Sequence, residues 1–263
     1  MSPIFWGDKG GDQFTYRVRV TAGQTTTPKF TYVAGYPPAF IDWGDGDART
    51  ASVSTTEYTH AYAVGGEYTV TLIQSNQEKW LQQVDINTDK VIQVVTPIQV
   101  FKALTTIIAT INTIWIQSLN SWVLTNAMNY LDVSSSGVTG NVINFALPVG
   151  FIRIVIKITG ITGNCSPIIL PASLLWWWLY NTAISGCPDL SVMVSIQSIR
   201  VHDCALPEAT VDLYLSRCVA REAATTYATP TLSLGGTNAA PSVAGHADEA
   251  TLVTAGWIVT TTP

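Results

Sequence analysis

Charge is scarce in this sequence. Asp, Glu, Lys and Arg make up 12% of its 263 residues, about half the share of an average soluble domain, so Thr, Ser, Asn and Gln must supply much of the polar surface. With a net charge of −5 and a pI near 5.0 there is no basic field to attract nucleic acid, and no nucleic-acid partner is expected. Histidine is scarcer still: His60, His202 and His246 are the only three and lie in different regions. No P-loop, dinucleotide fingerprint, Cys-x-x-Cys pair or zinc-protease motif occurs. The run His202-Asp203-Cys204 holds base, acid and nucleophile types, but strand alternation sends His202 outward and Cys204 inward. Neither an enzymatic activity nor a cofactor is expected. Long apolar runs are also missing. Residues 103–131 carry no charge, yet Asn112, Gln117, Asn120 and Asn126 interrupt them, so no membrane span is expected. The first eight residues reach Asp8 before any apolar core of secretory length, so no signal peptide is visible.

What the chain does have is apolar mass and a period. Hydrophobic residues make up 47%, enough to bury a substantial core. Five segments anchored at Met128, Phe151, Leu174, Ile196 and Thr229 repeat one pattern, with apolar residues at offsets three and five and a small residue at eight; the first three steps are 23, 23 and 22 residues. A period in the low twenties marks stacked coils, each giving one short strand to a parallel sheet and unable to bury its apolar side alone. The predicted class is therefore mainly β with some α. The pattern resembles leucine-rich repeats, with Ile, Val, Phe or Trp in place of most leucines and Ser136, Thr159, Thr182 and Cys204 where that family usually has asparagine. The resemblance implies a solenoid over residues 104–263. A weaker coil carries Ile108, Thr110, Thr113 and Trp115. The longer step to Thr229 accommodates a helix over 207–224, with Val211, Leu215, Cys218 and Val219 on one face behind Pro207. A second helix is predicted at 247–255, followed by an extended Trp257-Ile258-Val259 that caps the stack.

The first 75 residues read as a separate unit. Residues 14–20 and 67–73 alternate as half-buried strands. Between them lie Trp43-Gly44-Asp45-Gly46 and the run His60-Ala61-Tyr62 leading to Gly66-Glu67-Tyr68-Thr69-Val70. This pair resembles the polycystic-kidney-disease (PKD) domain, an immunoglobulin-like β-sandwich, with Trp43 filling its centre and the two glycines permitting the turn. Residues 76–103, including Trp80 and the alternating 91–95 segment, are predicted to link the sandwich to the solenoid and cover its first coil.

Candidate site residues follow from the same alternation. Positions at offsets two, four and six face out of the sheet into the solenoid's concavity. They bring Trp176, Trp178 and Tyr180 into one row, with Arg153 and Lys157 on one side, Arg200 and His202 on the other, and Tyr130 beyond. Exposed aromatics among cations suit a glycan or a protein partner. Asp42, Asp45 and Asp47 are weak calcium candidates; the alternative is that Asp45 bonds its own turn, and His60 is expected to pack. Cys165 and Cys187 fall at matching places on adjacent coils and could be bonded or remain free thiols, whereas Cys204 and Cys218 look like core residues. Together the two resemblances are similar to proteins of bacterial surfaces and phage particles. They imply a virion component, tail-associated, fibre or capsid-decorating, that contacts other virion or surface proteins or a host glycan or receptor. A secreted cell-surface adhesin and an intracellular scaffold are the alternatives.

Overall fold

The computed structural model describes residues 13–33, 39–73, 81–86, 91–95, 103–109, 118, 120, 123–134, 137–193, 195–222 and 229–263. The protein is mainly β, with two α-helices near the C-terminal end. Its N-terminal part holds β1 (Gln13–Val20), β2 (Thr25–Thr26), β3 (Lys29–Tyr32), β4 (Ala39–Asp42), β5 (Thr50–Ser52), β6 (His60–Ala61) and β7 (Gly66–Ile73), followed by β8 (Leu81–Asp85) and β9 (Val91–Val94). Strands β5-β4-β7-β1-β9 form an antiparallel sheet. The even positions of β1, from Phe14 to Val20, are buried, as period-2 alternation requires. Trp43 sits at the centre, 1% exposed, with its indole N–H donating to Thr50 Oγ1 at 2.9 Å. The following turn needs glycine: Gly44 has φ 81°, and a Cβ there would lie 2.4 Å from the Thr69 carbonyl oxygen.

The expected boundary at residue 75 does not separate the sheets. Strand β9 pairs with β1, while β3 pairs with β8 at the edge of the second, long sheet. Residues 76–103 thus supply strands to both sheets instead of forming only a linker. The cause is apolarity: Leu81, Val84, Val91, Ile92 and Val94 are all buried, and segments this apolar are stabilised by joining a sheet. Strand β8 also pairs in parallel with residues 106–108, with Gln83 beside Thr106. In the weak coil Ile107, not Ile108, is the buried residue paired with Leu131, one place earlier than the repeat spacing implied; Trp80, Thr110, Thr113 and Trp115 lie outside the described residues.

From β8 onward every pairing in the long sheet is parallel. Strands β10 (Thr106–Ile108), β11 (Tyr130–Asp132), β13 (Arg153–Lys157), β15 (Trp176–Tyr180), β17 (Ser198–Arg200), β18 (Thr231–Ser233) and β19 (Ile258–Thr260) succeed one another in register. Leu131, Ile154, Trp177, Ile199 and Leu232 consequently form one buried row. Strands β12 (Thr139–Asn141), β14 (Gly160–Asn164) and β16 (Ala183–Ser185) make a separate three-stranded parallel sheet. Ile158, Asn181 and Asp203, each five residues after the start of β13, β15 or β17, adopt left-handed φ values of 53°, 56° and 57°.

Helix α1 (Glu208–Glu222) buries Val211, Tyr214, Leu215 and Cys218, and Arg217 and Arg221 donate to the carbonyls of Cys187, Pro188 and Met193. Helix α2 (Val243–Thr254) starts before the predicted residue 247, because Ser242 caps it by accepting the Gly245 N–H at 3.2 Å. No helix among the described residues is long and apolar enough to cross a membrane. The Cys165–Cys187 bond is absent: all four cysteines are free and buried. Burial holds the Cys165 thiol far above its ordinary range and pushes Cys187 up to about 12. Little thiolate is therefore present for exchange chemistry.

Candidate binding surface

The parallel register sets the site. Because Leu131, Ile154, Trp177 and Ile199 point inward, their neighbours in each strand point to the opposite face. Across the strands one outward row runs Tyr130, Arg153, Trp176 and Ser198, and the next runs Asp132, Val155, Trp178 and Arg200. Lys157 lies beside Tyr180 in a third row. Trp177 is 0% exposed, whereas Trp176, Trp178 and Tyr180 are half-buried.

These side chains engage one another. The Arg153 guanidinium carbon lies 4.9 Å from the Tyr130 ring centre, 5.1 Å from Trp176 and 4.9 Å from Trp178. Arg200 approaches Trp178 at 4.2 Å, and Lys157 Nζ lies 5.8 Å from the Tyr180 ring. His202 stacks on Tyr180 at 4.3 Å. Among the described residues no carboxylate forms an ion pair with Arg153, Lys157 or Arg200. The ring quadrupoles stand where acidic partners usually would. Trp178 Nε1 donates to Ser198 Oγ at 2.8 Å, and Thr231 Oγ1 donates to the same hydroxyl at 2.6 Å. Tyr130 donates to Asp132 at 3.2 Å, and burial, with the Asp132 charge beside it, pushes its pKa up to about 12.

No family model, curated protein or solved structure matches this chain.

All eight residues picked out by strand alternation lie on this face, in two touching groups. Tyr130, Arg153, Trp176, Trp178 and Arg200 form the first; Lys157, Tyr180 and His202 form the second. The His202–Cys204 pair forms no dyad. His202 Nδ1 bonds Asp203 Oδ2 at 2.7 Å, while Cys204 Sγ donates to the Leu179 carbonyl at 3.1 Å. The His202 hydrogen bond holds the Asp203 carboxyl below its usual range, whereas burial raises the Cys204 thiol.

Of the three calcium candidates, Asp45 and Asp47 come together and Asp42 stands apart. Asp42 accepts the Gly44 N–H at 3.1 Å and pairs with Arg49 at 3.0 Å. Asp45 accepts the Asp47 N–H at 3.2 Å and meets His60 Nε2 at 2.6 Å. His60, not Asp42, joins Asp45 and Asp47 in the cluster, and its ring stacks on Trp43 at 4.6 Å. These are turn and packing contacts, and the calcium expectation gains no oxygen-rich cage from them.

Small residues at offset eight bond the local backbone. Thr182 donates to the Leu179 carbonyl at 3.3 Å, Thr159 accepts the Ile161 N–H at 3.4 Å, and Ser136 lies outside the described residues. Sequence reasoning missed Asn238. Its side chain accepts from Cys204 N and Leu206 N and donates to the Val201 and Leu234 carbonyls, all within 3.0 Å. The preceding Gly235-Gly236 signalled a local shift that moves the amide one place beyond offset eight, with Gly236 at φ 77°.

Proposed function

We propose that this chain is a non-enzymatic binding component of an extracellular assembly, in which a PKD-like sandwich is followed by a degenerate leucine-rich-repeat solenoid. The favoured setting is a phage particle, as a tail-associated, fibre or capsid-decorating protein that contacts other virion or surface proteins or a host receptor. Several features support this reading. The Trp43-Gly44-Asp45-Gly46 turn buries its tryptophan, and successive coils pair in unbroken parallel register. The free, buried thiols suit assembly in a reducing cytoplasm before release, whereas a secreted adhesin, the second reading, would mature in an oxidising environment. One observation carries the binding function: the row of half-buried aromatics clasping Arg153 and Arg200, residue types that dominate protein-binding hot spots.

The test is electron microscopy of native particles labelled with antibody against this chain, combined with adsorption assays on particles carrying Trp176→Ala and Trp178→Ala together. Label on the particle and lost adsorption by the double variant are expected. Label on the producing cell's envelope would transfer the role to an adhesin. Label on neither would overturn an extracellular role.

A further inference from the structure

We infer that this face is built to take carboxylates of an acidic segment of a partner protein, and is closed to the ring stacking by which a sugar would bind. The inference rests on the binding reading above. Strands stand about 4.8 Å apart, so a flat side chain in an in-register row turns its faces to the neighbours on either side. Trp176 is flanked in register by Arg153 and Ser198, and Trp178 by Val155 and Arg200. Tyr180 lies between Lys157, its register partner, and His202, which stacks on it. Ring faces are thus engaged within the protein, by Arg153 on Trp176, by Arg153 and Arg200 on Trp178, and by Lys157 and His202 on Tyr180. Ring edges and cationic N–H groups remain for solvent.

Both are electropositive. An aromatic edge carries the positive end of the ring quadrupole, and a guanidinium held on a ring still directs its fork outward. Arg153, Lys157 and Arg200 lack acidic partners among the described residues, in a chain whose net charge is −5. Set against Asp132 in the same rows and Asp203 on His202, the three cations still leave a local positive excess, toward which a matching anionic segment would be steered. Arg153 and Arg200 stand two strands apart with Trp178 between their guanidinium groups, so each fork can take a separate carboxylate in bidentate fashion. The Trp, Tyr and Arg composition belongs to protein interfaces.

The purified full chain is titrated with an oligoglutamate peptide in a Gly-Ser frame, the matching oligoglutamine peptide, an oligogalacturonate and a neutral glucose oligomer, using tryptophan fluorescence and calorimetry. The glutamate peptide should bind, and its affinity should fall at least about tenfold on raising salt well past the screening threshold of roughly 0.1 M. Arg200→Gln and Lys157→Gln should each weaken it, and Arg153→Gln with Arg200→Gln should weaken it at least about tenfold, with the melting temperature and circular dichroism of each variant recorded alongside. Lys157→Gln keeps the test valid if the arginine pair also supports folding. Equal binding of the glutamine peptide, tighter binding of either sugar, indifference to the substitutions, or no glutamate binding would each overturn the inference. Particle labelling is read separately, so a failed titration with labelled particles refutes the ligand class and leaves the extracellular role standing.

Discussion

The three consecutive tryptophans give the sharpest test of the fold and the site together. Trp177 is 0% exposed and lies in the buried row with Ile154 and Ile199. Truncating a fully buried Trp to alanine costs about 3–5 kcal/mol, because apolar contacts are lost and the cavity closes only partly. In a chain of this length that lowers the melting temperature by roughly 10 °C. Trp176 makes one cation–π contact, with Arg153, and its truncation should cost about 1 kcal/mol. Trp178 touches both arginines and bonds Ser198, so about 2 kcal/mol is expected. Trp177→Phe should be milder than its alanine counterpart, since the remaining ring fills most of the space that alanine would leave empty. The assay is urea unfolding of the single variants followed by circular dichroism, alongside the peptide titration. If Trp176→Ala or Trp178→Ala destabilises as much as Trp177→Ala, the inward and outward assignment is wrong and the binding face falls with it.

Asn238→Ala strips four hydrogen bonds from buried backbone groups, so a loss of about 4 kcal/mol in urea unfolding is expected; a loss below about 1 kcal/mol would show that water replaces the amide. Burial alone would raise the Asp45 carboxyl pKa, but hydrogen bonds from His60 and the Asp47 backbone outweigh it and hold the value below its normal range. The resulting stability is fully present above about pH 4 and is lost as pH falls through the depressed folded value, so the Asp45→Asn and parent urea midpoints should converge in acid; parallel curves would refute the assignment. None of the four thiols should react with an aromatic disulfide reagent in the native protein, and all four should react in urea without reductant; two missing thiols would reinstate the Cys165–Cys187 bond.

The parts of the fold legible in the sequence were those set by short-range periodicity. A one-residue slip in β15 would turn Trp177 outward and Trp176 and Trp178 inward, so the burial of alternate residues ties register to strand. Helix α1 was legible for the same reason, since its apolar positions recur on one face behind Pro207. Nonlocal pairing was not. Nothing in Lys29–Tyr32 says that it will pair with Leu81–Asp85, nor in Val91–Val94 that it will join β1, because an alternating strand can satisfy several edges. The turn around Asn238 escaped because two glycines displaced it from the repeat's expected position.

The site was legible as a set of residues and illegible as a chemistry. Alternation could place Arg153 and Trp178 on one face, but the use of the ring faces depends on how the side chains pack between neighbouring strands. Arg153 illustrates the effect of that packing. Its Nε is buried without a hydrogen-bond partner, an arrangement that normally carries a desolvation cost for a charged group. Three ring contacts offset that cost at about 0.5–2 kcal/mol each, without introducing a carboxylate. An internal acid would stabilise the guanidinium more strongly but would occupy the fork through which a ligand could be held. The aromatic cradle therefore does two things at once: it makes a half-buried cation tolerable in the folded chain, and it leaves that cation's outward hydrogen-bonding capacity for a partner.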